Sequence, residues 1–196
     1  MPSTSRASAL VTILVTLAAS PVLLAQDLSG EQLFETCLGC HGIKGYKNNY
    51  PTYKVPMLGG QNALYIVDAL TQYKNGVRKH ETMQAQAHSL SDADMQTVAQ
   101  YLSSATDVGT DAAGKAPAAA ATCGACHGAN GKGIAPNFPT IAGQHADYLT
   151  HALKAYRSGE RDNAIMSGFA GGLDDATIAA LAEYFSSQDG LITVER

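Results

Sequence analysis

The sequence predicts an all-α fold in which one small helical unit is written twice. Three observations lead there. Apolar residues recur at helical spacing along the chain, and no stretch reads convincingly as a strand. Pro56 and Pro139, Gln61 and Gln144, Tyr73 and Tyr156, Met83 and Met166, and Leu90 and Leu173 are each 83 positions apart. Each half also opens on a five-residue signature, Cys37-Leu38-Gly39-Cys40-His41 and Cys123-Gly124-Ala125-Cys126-His127, at an offset of 86. The register therefore changes once, through three extra residues between His41 and Pro56.

The repeat sets the expected boundaries. Residues 27–106 form the first unit and 116–190 the second. Residues 107–115 are small and polar and read as a linker. Residues 1–25 carry Arg6 in a short polar start, an apolar run over Ala9–Ala19, and Leu23-Leu24-Ala25 before Gln26. That is the pattern of a cleaved secretory signal peptide. An uncleaved membrane anchor is the alternative, but Ser20 and Pro21 break the run short of the ~20 residues a span needs. A net charge of −4 over 196 residues offers no basic surface for nucleic acid.

Within each unit the periodicity predicts three helices. The first runs into the signature. Ser29 and Gln32 have capping-box spacing at its start, and Leu33, Phe34 and Cys37 share a face. In the second unit Pro117 suits a first helical turn, with residues 118–122 following. The middle helix carries Ile66, Leu70 and Tyr73, matched by Leu149, Leu153 and Tyr156, and Gly76 and Gly159 can end it in the left-handed conformation. The last helix opens at Ser91-x-x-Asp94 and carries Met95, Val98 and Leu102. Its copy has Asp174 as cap, then Ile178, Leu181 and Phe185. These stripes are core.

Cys-x-x-Cys-His is the attachment signal of a c-type haem. Two cysteines three apart lie on one face of a helical turn, so both thiols can add to the vinyl groups of one porphyrin. The next residue brings an imidazole to the iron. The candidates are Cys37, Cys40 and His41 in the first unit and Cys123, Cys126 and His127 in the second. They use all four cysteines of the chain. A zinc site would bring its cysteine pairs together over roughly 15–20 residues, whereas 82 residues separate Cys40 from Cys123. A thioredoxin-like dithiol expects a βαβ pattern, and neither alternative explains the two histidines. Units this small bury little apolar surface of their own, so two covalent haems are expected to supply the missing core, and the apo-chain is expected to fold poorly.

The repeat also filters candidates for a second axial ligand. Met57 aligns with Thr140, and Met95 aligns with Ile178 on a core stripe. His80, His88, His145 and His151 align with Asn163, Gly171, Asn62 and Asp68, so none is repeated, and solvated or locally bonded side chains are expected there. Met83 and Met166 survive, each in what reads as a loop between two helices; gap-filling methionines are the alternative. A haem iron held by one histidine and one methionine has no open coordination site, and the thioether raises its potential. Such a centre passes electrons and makes no bonds. The matched methionines argue against a two-haem peroxidase, which needs a site that opens.

These residues resemble the class I cytochromes c, and within them the two-haem cytochrome c4 family. The second unit carries the resemblance most fully, through Cys123–His127, Gly128, Gly131, Pro136, Phe138-Pro139, Ile141-Ala142-Gly143-Gln144-His145, Tyr148-Leu149, Tyr156–Arg161 and Met166. The first keeps the signature, Pro56, Gly59-Gly60-Gln61, Tyr65-Ile66, Met83, Ala87 and Leu90-Ser91-Asp92. The resemblance implies two cytochrome c domains related by a pseudo-twofold axis, with haem propionates near their interface. It implies that the Pro56 and Pro139 carbonyls orient the proximal histidines. It also implies a periplasmic protein, often loosely membrane-attached, that carries electrons from a cytochrome bc complex to a terminal oxidase or reductase. The cytochrome subunit of a flavoprotein or other dehydrogenase is the alternative. Lys44, Lys47 and Lys54 cluster beside the first signature and would suit an acidic redox partner, or form an ordinary solvated loop.

Overall fold

A computed structural model describes residues 27–47, 52–106 and 108–195. The expected signal peptide lies outside them. The first half contains α1 (Gly30–Phe34), α2 (Leu38–His41), α3 (Ala63–Lys74), α4 (Glu81–His88) and α5 (Asp92–Ser103). The second contains α6 (Ala120–His127), α7 (Ala146–Ser158), α8 (Ala164–Ala170) and α9 (Asp175–Ser186). Among the described residues β-structure is confined to two isolated bridges, Lys47 with Lys54 and Gly59 with Ile192.

Several of the helices begin or end at recognisable caps. Ser29 and Ser91 each form a complete capping box with Gln32 and Asp94, and Asp174 accepts from the Thr177 N–H. Gly159 ends α7 at φ +77°, and Gly76, just past α3, has φ +72°. Three differences from the sequence reading stand out. The first helix breaks at Cys37 into α1 and α2, because the Cys37 and Cys40 N–H groups reach back three residues, to Phe34 and Cys37, rather than four. In the second half α6 starts at Ala120, later than Pro117 suggested, with the Pro117 carbonyl accepting from the Ala120 N–H. Each half also has a further short helix, α4 or α8, where a loop was expected. Helices this short gain little from propensity and are held by packing and caps.

Each half closes around its own core. In the first, Leu33 and Phe34 of α1 meet Ile66 of α3 and Val98, Ala99 and Leu102 of α5. In the second, Ala120 of α6 and Leu149 of α7 meet Leu181, Ala182 and Phe185 of α9. The fold also repeats its polar fastenings. Lys74 reaches the Leu90 carbonyl and Asp92, and Arg157, its counterpart, reaches the Leu173 carbonyl and Asp175. Both tie the middle helix to the turn before the last one. The ion pairs are exposed and screened by solvent, so the bond to the carbonyl is the firmer part.

The halves are locked together rather than strung on a free linker. The Lys132 ammonium and the Asn130 amide donate to the Val108 and Gly109 carbonyls, and Gln188 bonds both backbone groups of Ala113. At the other end of the second half, Ile192 pairs with Gly59 through two backbone hydrogen bonds of 3.0 Å. Tyr53 stacks on His151 of α7 with ring centroids 4.1 Å apart, and the next residue, Lys54, donates its N–H to Asp147. The stretch between His41 and Pro56, where the first half has its extra residues, thus reaches the other half as a strap.

Candidate functional site

One continuous apolar hollow, open to solvent at its mouths, runs through both halves. Seven of the eight sequence-predicted residues line it. Cys37, Cys40, His41 and Met83 line its first half, and Cys123, His127 and Met166 its second. Cys126 sits one turn along α6 beside His127 and is partly buried. The walls are the core stripes themselves: Leu70, Val98 and Leu102 on one side, Leu149, Leu153 and Phe185 on the other.

The histidines are aimed. His41 Nδ1 lies 2.8 Å from the Pro56 carbonyl and His127 Nδ1 2.9 Å from the Pro139 carbonyl. A carbonyl can only accept, so each Nδ1 carries the proton and donates it, which leaves Nε2 as a free lone pair. Burial lowers the pKa of both rings; at His41 the charges of His80 and Arg78 add to it. Both are therefore neutral imidazoles, the form that binds a metal. Burial likewise raises the Cys37 and Cys123 thiols.

Met83 and Met166 are each the third residue of a short helix, not members of a loop. The side chain of the N-cap residue holds each start. His80 Nδ1 accepts from the Met83 N–H at 3.3 Å, and Asn163 Oδ1 accepts from the Met166 N–H at 3.0 Å. His80 and Asn163 align across the repeat, so two unlike residues perform one task. This accounts for His80. His145 precedes α7, His151 stacks on Tyr53, and His88 is exposed. Met95 is 1 % exposed in the core of α5, as its stripe implied.

Between the halves, two sets of contacts recur with the halves exchanged. Gln61 bonds the N–H and carbonyl of Thr140 at 2.8 and 2.9 Å, and Gln144 bonds those of Met57 at 3.0 Å each. Arg78 donates to the Tyr148 hydroxyl, and Arg161 donates to the Tyr65 hydroxyl. Each guanidinium also lies 4.5 Å from a tyrosine ring of its own half, Tyr73 or Tyr156. These contacts define an approximate twofold axis. Tyr65 is pushed up by burial but pulled, on balance, below its ordinary pKa by Arg161 and Arg78. Sequence reasoning did not assign roles to Arg78, Arg161, Tyr65 or Tyr148. The signal was present, since both pairs obey the offset of 83.

The residues fit a haem in each half on three grounds. The hollow is apolar and larger than side chains fill. Its wall in each half carries a histidine with its Nε2 free and a methionine. Arg78 is 9 % exposed and Arg161 partly buried, yet among the described residues neither has a carboxylate within ion-pair distance. A buried cation without a counter-ion is costly, and carboxylates of a ligand in the hollow would complete both. A zinc site does not fit: among the described residues no three His, Cys, Asp or Glu side chains gather to hold a metal ion.

The comparisons with known proteins agree with this geometry. The family model described as cytochrome c matches the chain twice, over residues 28–106 and 112–189. Cytochrome c4 of Pseudomonas aeruginosa is 31 % identical over 195 residues, covering 89 % of this chain and 96 % of that protein. A thiosulfate dehydrogenase electron acceptor of Stutzerimonas stutzeri is 32 % identical over 170 residues, covering 77 % and 78 %. Among solved structures, reduced recombinant cytochrome c4 from Pseudomonas stutzeri superposes with a TM-score of 0.65 at 30 % identity, over 83 % of this chain and 97 % of that one.

Proposed function

The chain belongs to the cytochrome c family as a tandem two-haem member of the c4 type, and on that premise we propose that it is a periplasmic electron carrier whose two irons each stay closed to substrate. Two haem c groups are covalently bound, one at Cys37 and Cys40 and one at Cys123 and Cys126. In the proposal His41 and Met83 would hold the iron of the first, and His127 and Met166 that of the second. A haem iron held by imidazole and thioether changes oxidation state by one electron without making or breaking a bond.

The observation that supports this reading is the matched pair of ligand sets. In both halves an imidazole is fixed by a proline carbonyl, and a methionine on a capped helix turn lines the same hollow. The chain's residues supply three further things. The apolar walls would keep water from an iron held there, which favours the less charged ferrous state. The proline carbonyls hold imidazole orientation. Arg78 and Arg161 supply positive charge at the seam between the halves. One hollow is lined by both halves, so haems held at the two attachment sites would lie in the same cavity and could share an electron that enters at either half.

Partners follow as redox proteins: a cytochrome bc complex as donor and a terminal oxidase or reductase as acceptor. A second reading has a dehydrogenase as donor, and the similarity to a protein named as a thiosulfate dehydrogenase electron acceptor favours it. No helix among the described residues is long and apolar enough to cross a membrane, and residues 1–25 are read as the export signal.

The test is Met83→Ala and Met166→Ala in the holo-protein, each followed by magnetic circular dichroism. Each variant should lose one low-spin His/Met signature, keep the other, and lower the potential of the altered haem. Met95→Ala serves as control. It should cost ~2–5 kcal/mol of stability and leave both irons six-coordinate. Two intact His/Met signatures in either ligand variant would overturn the assignment and the closed carrier with it.

A further inference from the structure

We infer that each half sets the electron-donating strength of the other half's proximal histidine, through Gln61 for His127 and Gln144 for His41. This rests on the ligand assignment above and goes beyond it.

The connection is a single peptide group. The carbonyl of Pro139 accepts from His127 Nδ1, and the N–H of that same peptide, on Thr140, donates to Gln61 Oε1 at 2.8 Å. The mirror chain runs from His41 Nδ1 to the Pro56 carbonyl, and from the Met57 N–H to Gln144 Oε1 at 3.0 Å. A peptide whose N–H donates to a good acceptor is polarised, and its carbonyl oxygen becomes a stronger acceptor in turn. A stronger acceptor at Nδ1 makes the imidazole a more basic ligand, and a more basic ligand favours ferric iron.

The geometry leaves the glutamines little freedom. Gln61 is 5 % exposed, Gln144 4 % and Thr140 3 %. Each glutamine oxygen accepts a second N–H, from Asn62 or His145, and each nitrogen donates to the carbonyl of Thr140 or Met57. Only one orientation of each amide satisfies all three partners. Both glutamines cross the interface, so the polarising group for one haem always belongs to the other domain. Separation or rotation of the halves, for instance on docking, would therefore shift both potentials upward together.

The experiment replaces Gln61 and Gln144 singly by Met, which keeps the length and loses the hydrogen bonds, in full-length holo-protein. The two potentials are measured by spectroelectrochemistry, and the histidine Nδ1–H resonances by proton NMR of the reduced protein. Gln61→Met should favour reduction of the second haem severalfold and move the His127 Nδ1–H upfield, with the first haem and His41 nearly unmoved. Gln144→Met should do the reverse. Asn62→Ala, which removes interface bonds to the Ala135 and Phe138 carbonyls, should move neither potential. Should Gln61→Met not accumulate with haem, Gln61→Glu decides: a carboxylate accepts more strongly from Thr140, so the His127 resonance should move downfield and that of His41 stay. A shift in the glutamine's own half, an equal shift in both, or none overturns the inference. Both His/Met signatures in the unsubstituted protein establish the ligands separately, so that failure here is not failure of the assignment.

Discussion

Arg78 donates to the hydroxyl of Tyr148 at 2.7 Å across the interface, and the chain places the same bond, Arg161 to Tyr65 at 2.9 Å, on the other side of the axis. Each guanidinium bonds a neutral oxygen of the opposite half while its charge remains uncompensated by any carboxylate of the described residues. The arginines close the interface, and their charge would also act on haems held in the hollow.

Arg78→Met should separate those effects. For scale, two unit charges roughly 10 Å apart at an effective dielectric near 20 interact by about 1.7 kcal/mol, or roughly 70 mV for a one-electron couple at 59 mV per tenfold. Removing the cation relieves ferric iron, so the potential of the nearer haem should fall by that order. Tyr148→Phe removes only the hydroxyl; it should cost about 1 kcal/mol of stability and move the potential far less. A redox titration beside guanidinium denaturation checks both.

Much of this arrangement was legible in the sequence, because a repeat is an internal control. The offset of 83 isolated Met83 and Met166 from the other methionines, and the signatures fixed both attachment sites. Core stripes such as Met95, Val98 and Leu102 were legible from period alone. Two things were not. The helices carrying Met83 and Met166 have too few residues for a periodic signal, and their caps, His80 and Asn163, differ in residue type. The strap from Tyr53 to His151 lies in the unrepeated insertion, where a contact between residues so distant in sequence leaves no local pattern.

The caps give a second prediction. Asn163→Ala removes the acceptor for the Met166 N–H and should destabilise α8 by ~0.5–2 kcal/mol. The loss falls on the helix that presents the methionine, so displacement of Met166 by added imidazole should become easier, by roughly two- to thirtyfold. His80→Asn, which transplants the second half's cap, should leave Met83 ligation near its original strength. Imidazole titration of each ferric variant checks both.

The strap should weaken in acid. His151 is held below its ordinary pKa, first by burial and then by Arg161, Arg78 and His80, against the opposing pull of Glu160. The closed form therefore resists protonation while the open form titrates near the ordinary ~6.5. The stabilising contribution is fully present above that value and is lost as pH falls from it toward the lower pKa of the closed form. The Lys54 amide, which donates to Asp147, should exchange faster at pH 5 than at pH 7.5 once intrinsic rates are divided out. His151→Phe keeps the stack on Tyr53 and should abolish the difference.

The same strap bears on partner choice. Lys44, Lys47 and Lys54 are exposed, and the backbone bridge between Lys47 and Lys54 closes the base of their loop. Anchorage of Tyr53 and Lys54 on α7 holds that base against the second half, beside the hollow that both halves line. Positive charge held there would steer an acidic redox partner to a point from which either haem is near. Charge attraction of this kind acts on encounter and is screened within about 10 Å at 0.1 M salt. Lys44→Glu with Lys47→Glu should therefore lower the second-order rate of reduction by an acidic donor at 10 mM salt by tenfold or more, and leave the rate at 0.5 M salt and both haem potentials unchanged. Lys115→Glu, on the linker, carries the same change of net charge per residue and should have little effect. Stopped-flow reduction across that salt range measures it. An unaltered rate at low salt would make the cluster an ordinary solvated loop and move the docking face elsewhere on the molecule.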